Sequence, residues 1–183
     1  SASNSSWHGT HVVASVAAET NNGLGVAGVA FGARVVPVRA LGRCGGYTSD
    51  IADAIIWSAG GTVTGVPINV NPAQVLNLSL GGSGSCSSSS QAAIDIARSL
   101  GSTVVVAAGN GNTDVSSSAP ANCAGVITVA ATNRTGTRAY YSNYGSAVDV
   151  AAPGGELLSG DVTGGILSAQ NAGTTSAGSD SYE

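Results

Sequence analysis

Charged side chains are scarce in this 183-residue chain: they make up 9% of the residues, and methionine is absent. Since an average globular protein carries about 25% charged residues, the surface here must be covered by serine, threonine, asparagine and the 27 glycines. Six basic and ten acidic side chains give a net charge of −4. No cluster of lysine or arginine could neutralise a run of phosphates, so nucleic acid is not an expected partner.

Long hydrophobic runs are missing as well. Aliphatic stretches such as residues 104–108 fall far below the roughly 18–20 residues that a bilayer span requires, so we expect neither a membrane helix nor a membrane partner. Low charge, many small residues and three cysteines favour a secreted, extracellular chain. The reason is that oxidising compartments tolerate cysteines as bridges.

The chain does contain strand patterns that alternate with helix patterns. Apolar periodicity and caps predict helices at residues 10–18, 48–57 and 88–100. Short β-branched runs predict strands at residues 34–39, 75–80, 103–108, 126–131 and 148–151. This alternation predicts an α/β fold with a parallel sheet.

Three finer expectations follow from the same patterns. Pro37 restricts residues 34–39 to an edge strand, because proline has no amide hydrogen to donate. The uninterrupted apolar run at residues 103–108 predicts a strand covered on both faces. Beyond Pro153 we expect loop, with a short hairpin around residues 166–168.

The densest chemical signal is the sequence Trp-His-Gly-Thr-His at residues 7–11. His8 at a helix start suits a general base, because the ordinary pKa of histidine, near 6.5, matches neutral pH. Zinc peptidase motifs place two histidines four residues apart with a glutamate between them, whereas His8 and His11 are three apart. A purely structural histidine is the alternative.

Two further segments place glycine directly after a strand. Asn110 lies in Gly-Asn-Gly after the run at residues 103–108, where its amide could stabilise a developing oxyanion or merely form a turn. Ser79, Leu80 and Gly81 end the strand at residues 75–80. Such an open backbone could receive an extended peptide by strand addition, or could be only a turn.

Together and in this order, these segments resemble the subtilisin-like serine proteases (subtilases), in their secreted bacterial branch. His8-Gly9-Thr10-His11-Val12 is similar to the family's histidine motif, which implies that His8 is the catalytic base and His11 its structural companion. Asn110 matches the oxyanion-hole asparagine. The resemblance implies a doubly wound, mostly parallel α/β sheet flanked by helices. It also implies a serine endopeptidase that works through an acyl-enzyme and needs no cofactor for catalysis.

The resemblance also implies substrate-binding residues for an extended polypeptide. Two segments would sandwich the peptide and small residues would line the specificity pocket, which leaves room for a large apolar or aromatic side chain. These residues are Gly45, Gly46, Ser79, Leu80, Gly81, Ala107, Ala108 and Gly109.

Two parts of the family pattern are not found. No aspartate precedes His8, and no Gly-Thr-Ser-Met-Ala-x-Pro motif occurs. The sequence Gly-Thr-Thr-Ser-Ala-Gly at residues 173–178, which includes Ser176, is similar to that motif. It lacks the methionine, the proline and a following apolar run, so it does not predict a helix start. We therefore expect residues 1–183 to be the central part of a single catalytic domain with both ends missing. The missing pieces are its potential partners, and the chain alone should be inactive or very weakly active.

The loop at residues 20–26 resembles the family's calcium loop. The resemblance implies a structural calcium ion held by the Asn22 side chain and by the carbonyl groups of Thr20, Leu24 and Val26. The family takes a further carboxylate from the absent N-terminal part.

The three cysteines allow three single pairings. We favour a bridge between Cys86 and Cys123, which lie in loops that bracket a predicted helix and strand. Cys44 would then stay free or pair outside this segment.

Two functions of other classes remain as alternatives. The first is a protease-like module that binds an extended peptide between residues 45–46 and residues 79–81 without cutting it. The second is a nucleotide-binding domain, prompted by the Gly-x-Gly-x-x-Gly spacing at residues 23–28. That motif follows a helix rather than a strand and lacks the later acidic residue, so it fails its context test.

Overall fold

The computed structural model describes residues 5–158 and 163–182 of the chain. Contacts divide the chain into two compact units: Val38–Gly165, and Ser1–Pro37 together with Ile166–Glu183. The helices are α1 (His8–Ala17), α2 (Thr48–Ser58) and α3 (Ser88–Ser99), with a 3-10 turn at Val115–Ser117. The strands are β1 (Val75–Leu78), β2 (Gly82–Ser83), β3 (Thr103–Ala107), β4 (Ser118–Ala119), β5 (Ile127–Thr132), β6 (Val150–Pro153), β7 (Ala169–Asn171) and β8 (Asp180–Tyr182).

The larger unit is built on a four-stranded sheet in the order β1-β3-β5-β6. All three strand pairs are parallel, with Leu76 beside Val104 and Val106 beside Thr128. The predicted parallel α/β sheet is therefore confirmed. Its carboxyl ends lie at one edge, which is where ligands bind in open α/β sheets.

Helix α3 forms where its sequence predicts a helix. The Ser87 hydroxyl accepts a hydrogen bond from the Ser90 amide at 3.1 Å, which satisfies one of the free amides at the helix start. Ala93, Ile94 and Ala97 form its buried face. Ile94 is fully buried, so this helix seals one face of the sheet.

The core of the larger unit lies between that sheet face and helices α2 and α3. Burial alternates along β3: Val104 and Val106 are buried, whereas Thr103 and Ala107 are exposed. The expectation that this strand is covered on both faces is wrong for the described residues. Its unbroken run of small and β-branched side chains gives no indication of which face is covered.

The segment at residues 34–39 is not a strand in the structure, which corrects our expectation of an edge strand. Val35, Val36 and Val38 are each about two-fifths exposed. Local β-branched sequence favours extended backbone, but a strand also needs a neighbour to complete its hydrogen bonds. No described residue provides that ladder here.

The smaller unit contains α1 and the antiparallel β7–β8 hairpin. The hairpin follows residues 166–168 instead of including them. Asn171 holds its turn, since its side-chain oxygen accepts from the amides of Gly173 and Gly178 at 2.9 and 2.8 Å. Ser176 lies in this turn and not at the start of a helix.

A disulfide joins Cys86 to Cys123, with 5.1 Å between their Cα atoms, so the favoured pairing is confirmed. Cys44 is free and exposed. Among the helices described, none has the length and apolar character needed to cross a membrane.

Candidate active site

A groove of about 310 Å³ opens at the carboxyl ends of the sheet in the larger unit. Alanine and valine side chains from β3, β5 and β6 form most of its walls, and no lining residue carries a formal charge. The lining residues are Asn77, Ser79, Val105, Val106, Ala107, Ala108, Gly109, Asn110, Val129, Ala130, Ala131, Tyr141 and Ala152. The groove thus brings together five of the residues predicted to bind substrate or catalyse, and its walls suit an apolar group.

Asn110 lies three residues beyond the end of β3, at the rim of this groove. Gly109 has a φ of +108°, a conformation that glycine adopts without strain and that turns the chain out of the strand. The Asn110 side chain is exposed and has no hydrogen-bond partner in the described part of the chain. Its amide is therefore free to donate to a ligand.

The segment that follows β1 forms another part of the groove. Ser79 lines it, and its hydroxyl accepts a hydrogen bond from the Asn77 side-chain amide at 2.9 Å. Leu80 packs against the core, and β2 pairs with β4 immediately afterwards. A Cβ at Gly81 would lie 3.1 Å from the Ala119 carbonyl oxygen, so this close approach favours glycine.

Tyr141 forms a polar wall of the groove, and no sequence pattern singled it out. Its hydroxyl lies 3.1 and 2.8 Å from the carbonyl oxygens of Gly154 and Gly155, and its one hydrogen is shared between these two acceptors. Burial raises the pKa of this phenol, and the negative charge of Glu156 raises it further. Tyr141 is therefore a neutral hydrogen-bond donor at physiological pH.

Asn143 is another residue that sequence patterns did not single out. It is almost completely buried, and its side chain bonds to the segment on both sides of Asn110. The partners lie more than 20 residues away in sequence, so no local periodicity could have found them.

Gly45 and Gly46 lie in a tight turn in which Gly42 and Gly45 form an isolated antiparallel bridge. Gly45 has a φ of +105°, which accounts for the glycine at that position. Neither residue is among those that line the groove. Their assignment to the substrate sandwich stays a prediction.

His8 belongs to the smaller unit, where it is the first residue of α1 and is exposed. Trp7 precedes it in left-handed backbone conformation (φ 52°), and the Trp7 indole donates to the Gly173 carbonyl at 2.5 Å. His11, one turn along, has its Nε2 atom 3.1 Å from the Ile166 carbonyl oxygen. These bonds fix the start of α1, while the His8 ring is left accessible.

The proposed calcium loop lines a second cavity, of about 160 Å³, in the smaller unit. Asn22, Leu24 and Val26 line it, together with Glu19, whereas Thr20 does not. Asn22 closes the turn, because its side-chain oxygen accepts from the Leu24 amide at 3.0 Å. Oxygen atoms of amide, carboxylate and carbonyl groups are the ligands calcium prefers, so these residues fit that ion. Within residues 5–158 and 163–182, no three His, Cys, Asp or Glu side chains converge on a metal site.

Comparison with known proteins gives matches along the whole chain. The model of the Subtilase family matches residues 1–183. An extracellular protease of Xanthomonas campestris pv. campestris is 61% identical over 181 residues, which cover 99% of this chain and 30% of the relative. An extracellular basic protease of Dichelobacter nodosus is 58% identical over 155 residues, or 85% of this chain and 26% of the relative.

A solved structure of a protease from Pseudoalteromonas arctica superimposes with a TM-score of 0.95 at 62% identity. The match covers 98% of this chain and 53% of that one. The chain therefore spans about half of the solved structure, and under a third of each of the two curated relatives.

Proposed function

The chain belongs to the subtilase family of peptidases, and from that premise we propose that it supplies the general base and the oxyanion-hole donor of a secreted serine endopeptidase. His8 takes the proton from the attacking serine hydroxyl and returns it to the leaving amine. Asn110 donates its side-chain amide to the oxyanion of the tetrahedral intermediate. The serine and the orienting aspartate have no motif counterpart in the 183 residues. The proposed activity is therefore that of the longest polypeptide that the gene encodes, which we call the longest encoded form.

One observation carries this proposal: the unpaired Asn110 amide lies at the rim of an uncharged groove at the carboxyl edge of a parallel sheet. An amide donor is most effective once bound substrate excludes water from it, and where no charged group competes for it. Substrate backbone would lie along residues 79–81, and a side chain would enter the groove between β3 and β5. The Gly45-Gly46 turn is proposed as the opposite edge of the substrate sandwich.

The test is peptide hydrolysis by the longest encoded form with single substitutions. In subtilisin, removal of one oxyanion donor lowers kcat by about 10²–10³, and we expect Asn110→Ala to behave in the same way. His8→Ala should lower kcat more than Asn110→Ala does. In subtilisin, loss of the catalytic histidine lowers kcat by about 10⁶, and we expect a loss of that order here. Asn71→Ala, at an exposed asparagine outside the groove, is the matched control. Normal hydrolysis by the His8 and Asn110 variants would overturn the proposal, and peptide binding without hydrolysis would favour a binding module.

The 183-residue chain alone is proposed to be inactive or very weakly active. A fluorophosphonate labels an activated serine, so the purified chain should remain unlabelled while the longest encoded form reacts. Stoichiometric labelling of the chain would contradict this expectation.

The substrate is proposed to carry a large apolar or aromatic side chain before the cleaved bond. Support comes from the alanine and glycine residues at positions 107–109, which leave the groove open. Profiling the longest encoded form with a peptide library should show this preference. Selection of small or acidic residues would contradict it.

A calcium ion is proposed as a structural ion of the loop at residues 20–26. Asn22 and the carbonyl groups of Thr20, Leu24 and Val26 would hold it, and the bound ion would supply rigidity rather than catalysis. Calcium should raise the Tm relative to a chelator, and Asn22→Ala should abolish that rise while Asn71→Ala keeps it. A Tm that is equal with calcium and with chelator would exclude the site.

Extracellular location is proposed as well. The relatives from Xanthomonas and Dichelobacter are named extracellular proteases, and the Cys86–Cys123 bridge is of the kind that persists in oxidising compartments.

A further inference from the structure

The segment that carries Asn110 is held by one buried side chain. Asn143 is 3% exposed, and its side-chain amide donates to the Ala108 carbonyl at 2.9 Å and to the Ser118 hydroxyl at 2.8 Å. Its side-chain oxygen accepts from the amides of Gly111 at 2.9 Å and Thr113 at 3.1 Å. Asn143 thus binds the residues on both sides of Asn110.

The hydrogen-bonding capacity of Asn143 is fully used. Beyond the four bonds above, its oxygen lies 3.3 Å from the Thr113 hydroxyl, and its backbone amide donates to the Gly109 carbonyl at 2.9 Å. A buried amide whose donors and acceptors are all satisfied fixes the position of the groups bonded to it, because any displacement leaves a buried polar group unpaired. The loop around Asn110 therefore has one favoured position relative to Asn143.

Glycine at position 109 makes this contact fit. A Cβ added there would lie 2.6 Å from the Asn143 side-chain nitrogen, closer than such atoms approach. The loop is held at its far end too, since the Asn112 amide donates to the Tyr141 carbonyl and the Tyr144 amide to the Thr113 carbonyl. Residues 109–113 are thus fixed to residues 141–144, while the Asn110 side chain itself makes no bond within the described chain.

We infer that Asn143 is a positioning residue for the oxyanion-hole donor: it holds the backbone of residues 108–113 so that the Asn110 amide points into the groove. This inference rests on the proposed role of Asn110. It assigns to Asn143 no contact with substrate, and the effect of Asn143 on kcat is exerted through Asn110. A misplacement of about 1 Å at a reacting group can cost about 10²-fold in rate, so the positioning should be visible in kinetics.

The kinetic test is a double-mutant cycle in the longest encoded form. Asn143→Ala should lower kcat by about 10-fold to 100-fold with KM little changed, because the oxyanion forms only after substrate has bound. In an Asn110→Ala background the same substitution should lower kcat by less than about twofold, since the group through which it acts is gone. Asn133→Ala is the matched control: it also removes an asparagine with several loop hydrogen bonds, yet it should leave kcat unchanged.

The outcomes test the positioning role of Asn143 separately from the proposed oxyanion-hole role of Asn110. Additive losses in the cycle would overturn the positioning role of Asn143 and leave the proposed function standing. An unchanged kcat in Asn110→Ala would overturn the proposed function, and the inference with it. If Asn143→Ala does not fold, Ser118→Ala removes one acceptor of the Asn143 amide and serves in the same cycle.

A second measurement on the 183-residue chain does not depend on activity. Amide hydrogen exchange should lose protection at Gly111 and Thr113 in Asn143→Ala, because the oxygen that accepts their hydrogens is removed. Asn110→Ala should leave those two amides as protected as in the wild type. Unchanged protection in Asn143→Ala would overturn the inference.

Discussion

The two compact units bury different kinds of side chain. In the larger unit the buried cluster is aliphatic and includes Leu76, Ile94, Val104 and Val106. Among the described residues of the smaller unit, Ala14 is the one buried apolar side chain, and Ser168 and Asn171 are buried with it. The larger unit therefore has an aliphatic core, whereas the smaller one buries little apolar side chain and has hydrogen-bonded polar side chains in its interior.

This difference bears on the two proposed catalytic groups. Apolar burial is non-directional and roughly proportional to area, whereas a hydrogen bond contributes about 0.5–1.5 kcal/mol and depends on geometry. Asn110 follows a strand of the apolar core, and His8 begins a helix in the unit where Ala14 is the one buried apolar side chain among the described residues. We expect the surroundings of His8 to open locally at a lower free energy than those of Asn110.

The largest effect on the free energy of unfolding is expected for Ile94→Ala in the larger unit. Ile94 is fully buried in α3, and removal of its side chain leaves a cavity that should lower the free energy of unfolding by about 2–5 kcal/mol. Urea unfolding measures the loss. Ile96→Ala, on the same helix but 41% exposed, is the control and should change stability by about 0.5 kcal/mol. Equal losses for both variants would refute an apolar core at α3.

Ser168→Ala, in the smaller unit, should cause the next largest loss in the free energy of unfolding. The fully buried Ser168 hydroxyl donates to the His11 carbonyl at 2.8 Å and accepts from the Ser15 hydroxyl at 3.0 Å. Its removal leaves buried polar groups unpaired, at a cost of about 1–3 kcal/mol. Ser176→Ala, at an exposed turn, is the matched control and should cost no more than about 0.5 kcal/mol.

Hydrogen exchange on Ser168→Ala tests the comparison between the units directly. Protection should fall at amides of the smaller unit, such as Ala172, and stay at the wild-type level in β3. A fall of equal size at Val104 and Val106 would show that both units unfold as one, and the contrast would then be wrong.

The local signals in the sequence were sufficient for much of the larger unit. The serine cap and apolar spacing of α3 and the β-branched run of β3 each act within a few residues, so both elements could be predicted. The segment at residues 34–39 has an equally good β-branched pattern and is not a strand. A ladder depends on a partner elsewhere in the chain, and composition cannot report its presence.

The candidate site was predictable only in part, for a similar reason. Asn110 follows a strand and is flanked by glycines, which is a signal in sequence. Asn143 and Tyr141 act through bonds to residues 13 to 35 positions away, and their own neighbours look like an ordinary polar turn. Residues that hold a site in place are thus harder to find than the residues that form it.

The smallest expected effect is a change in the pH dependence of stability in Tyr141→Phe, and this change is confined to alkaline pH. Burial and the charge of Glu156 raise the pKa of Tyr141 in the folded chain. The neutral phenol is favoured in the folded state, so its contribution to stability is fully present below the unfolded pKa near 10 and is lost as pH rises through the folded pKa. Tyr141→Phe should therefore lose less stability than the wild type as pH rises above about 10.

The measurement is urea unfolding at a series of alkaline pH values, alongside an ultraviolet titration of phenolate. Tyr47→Phe is the matched control: Tyr47 lies in the same unit, is 79% exposed, and its hydroxyl has no hydrogen bond among the described residues. Its alkaline stability curve should follow that of the wild type. An alkaline loss in Tyr141→Phe as steep as in the wild type would mean that this instability arises elsewhere.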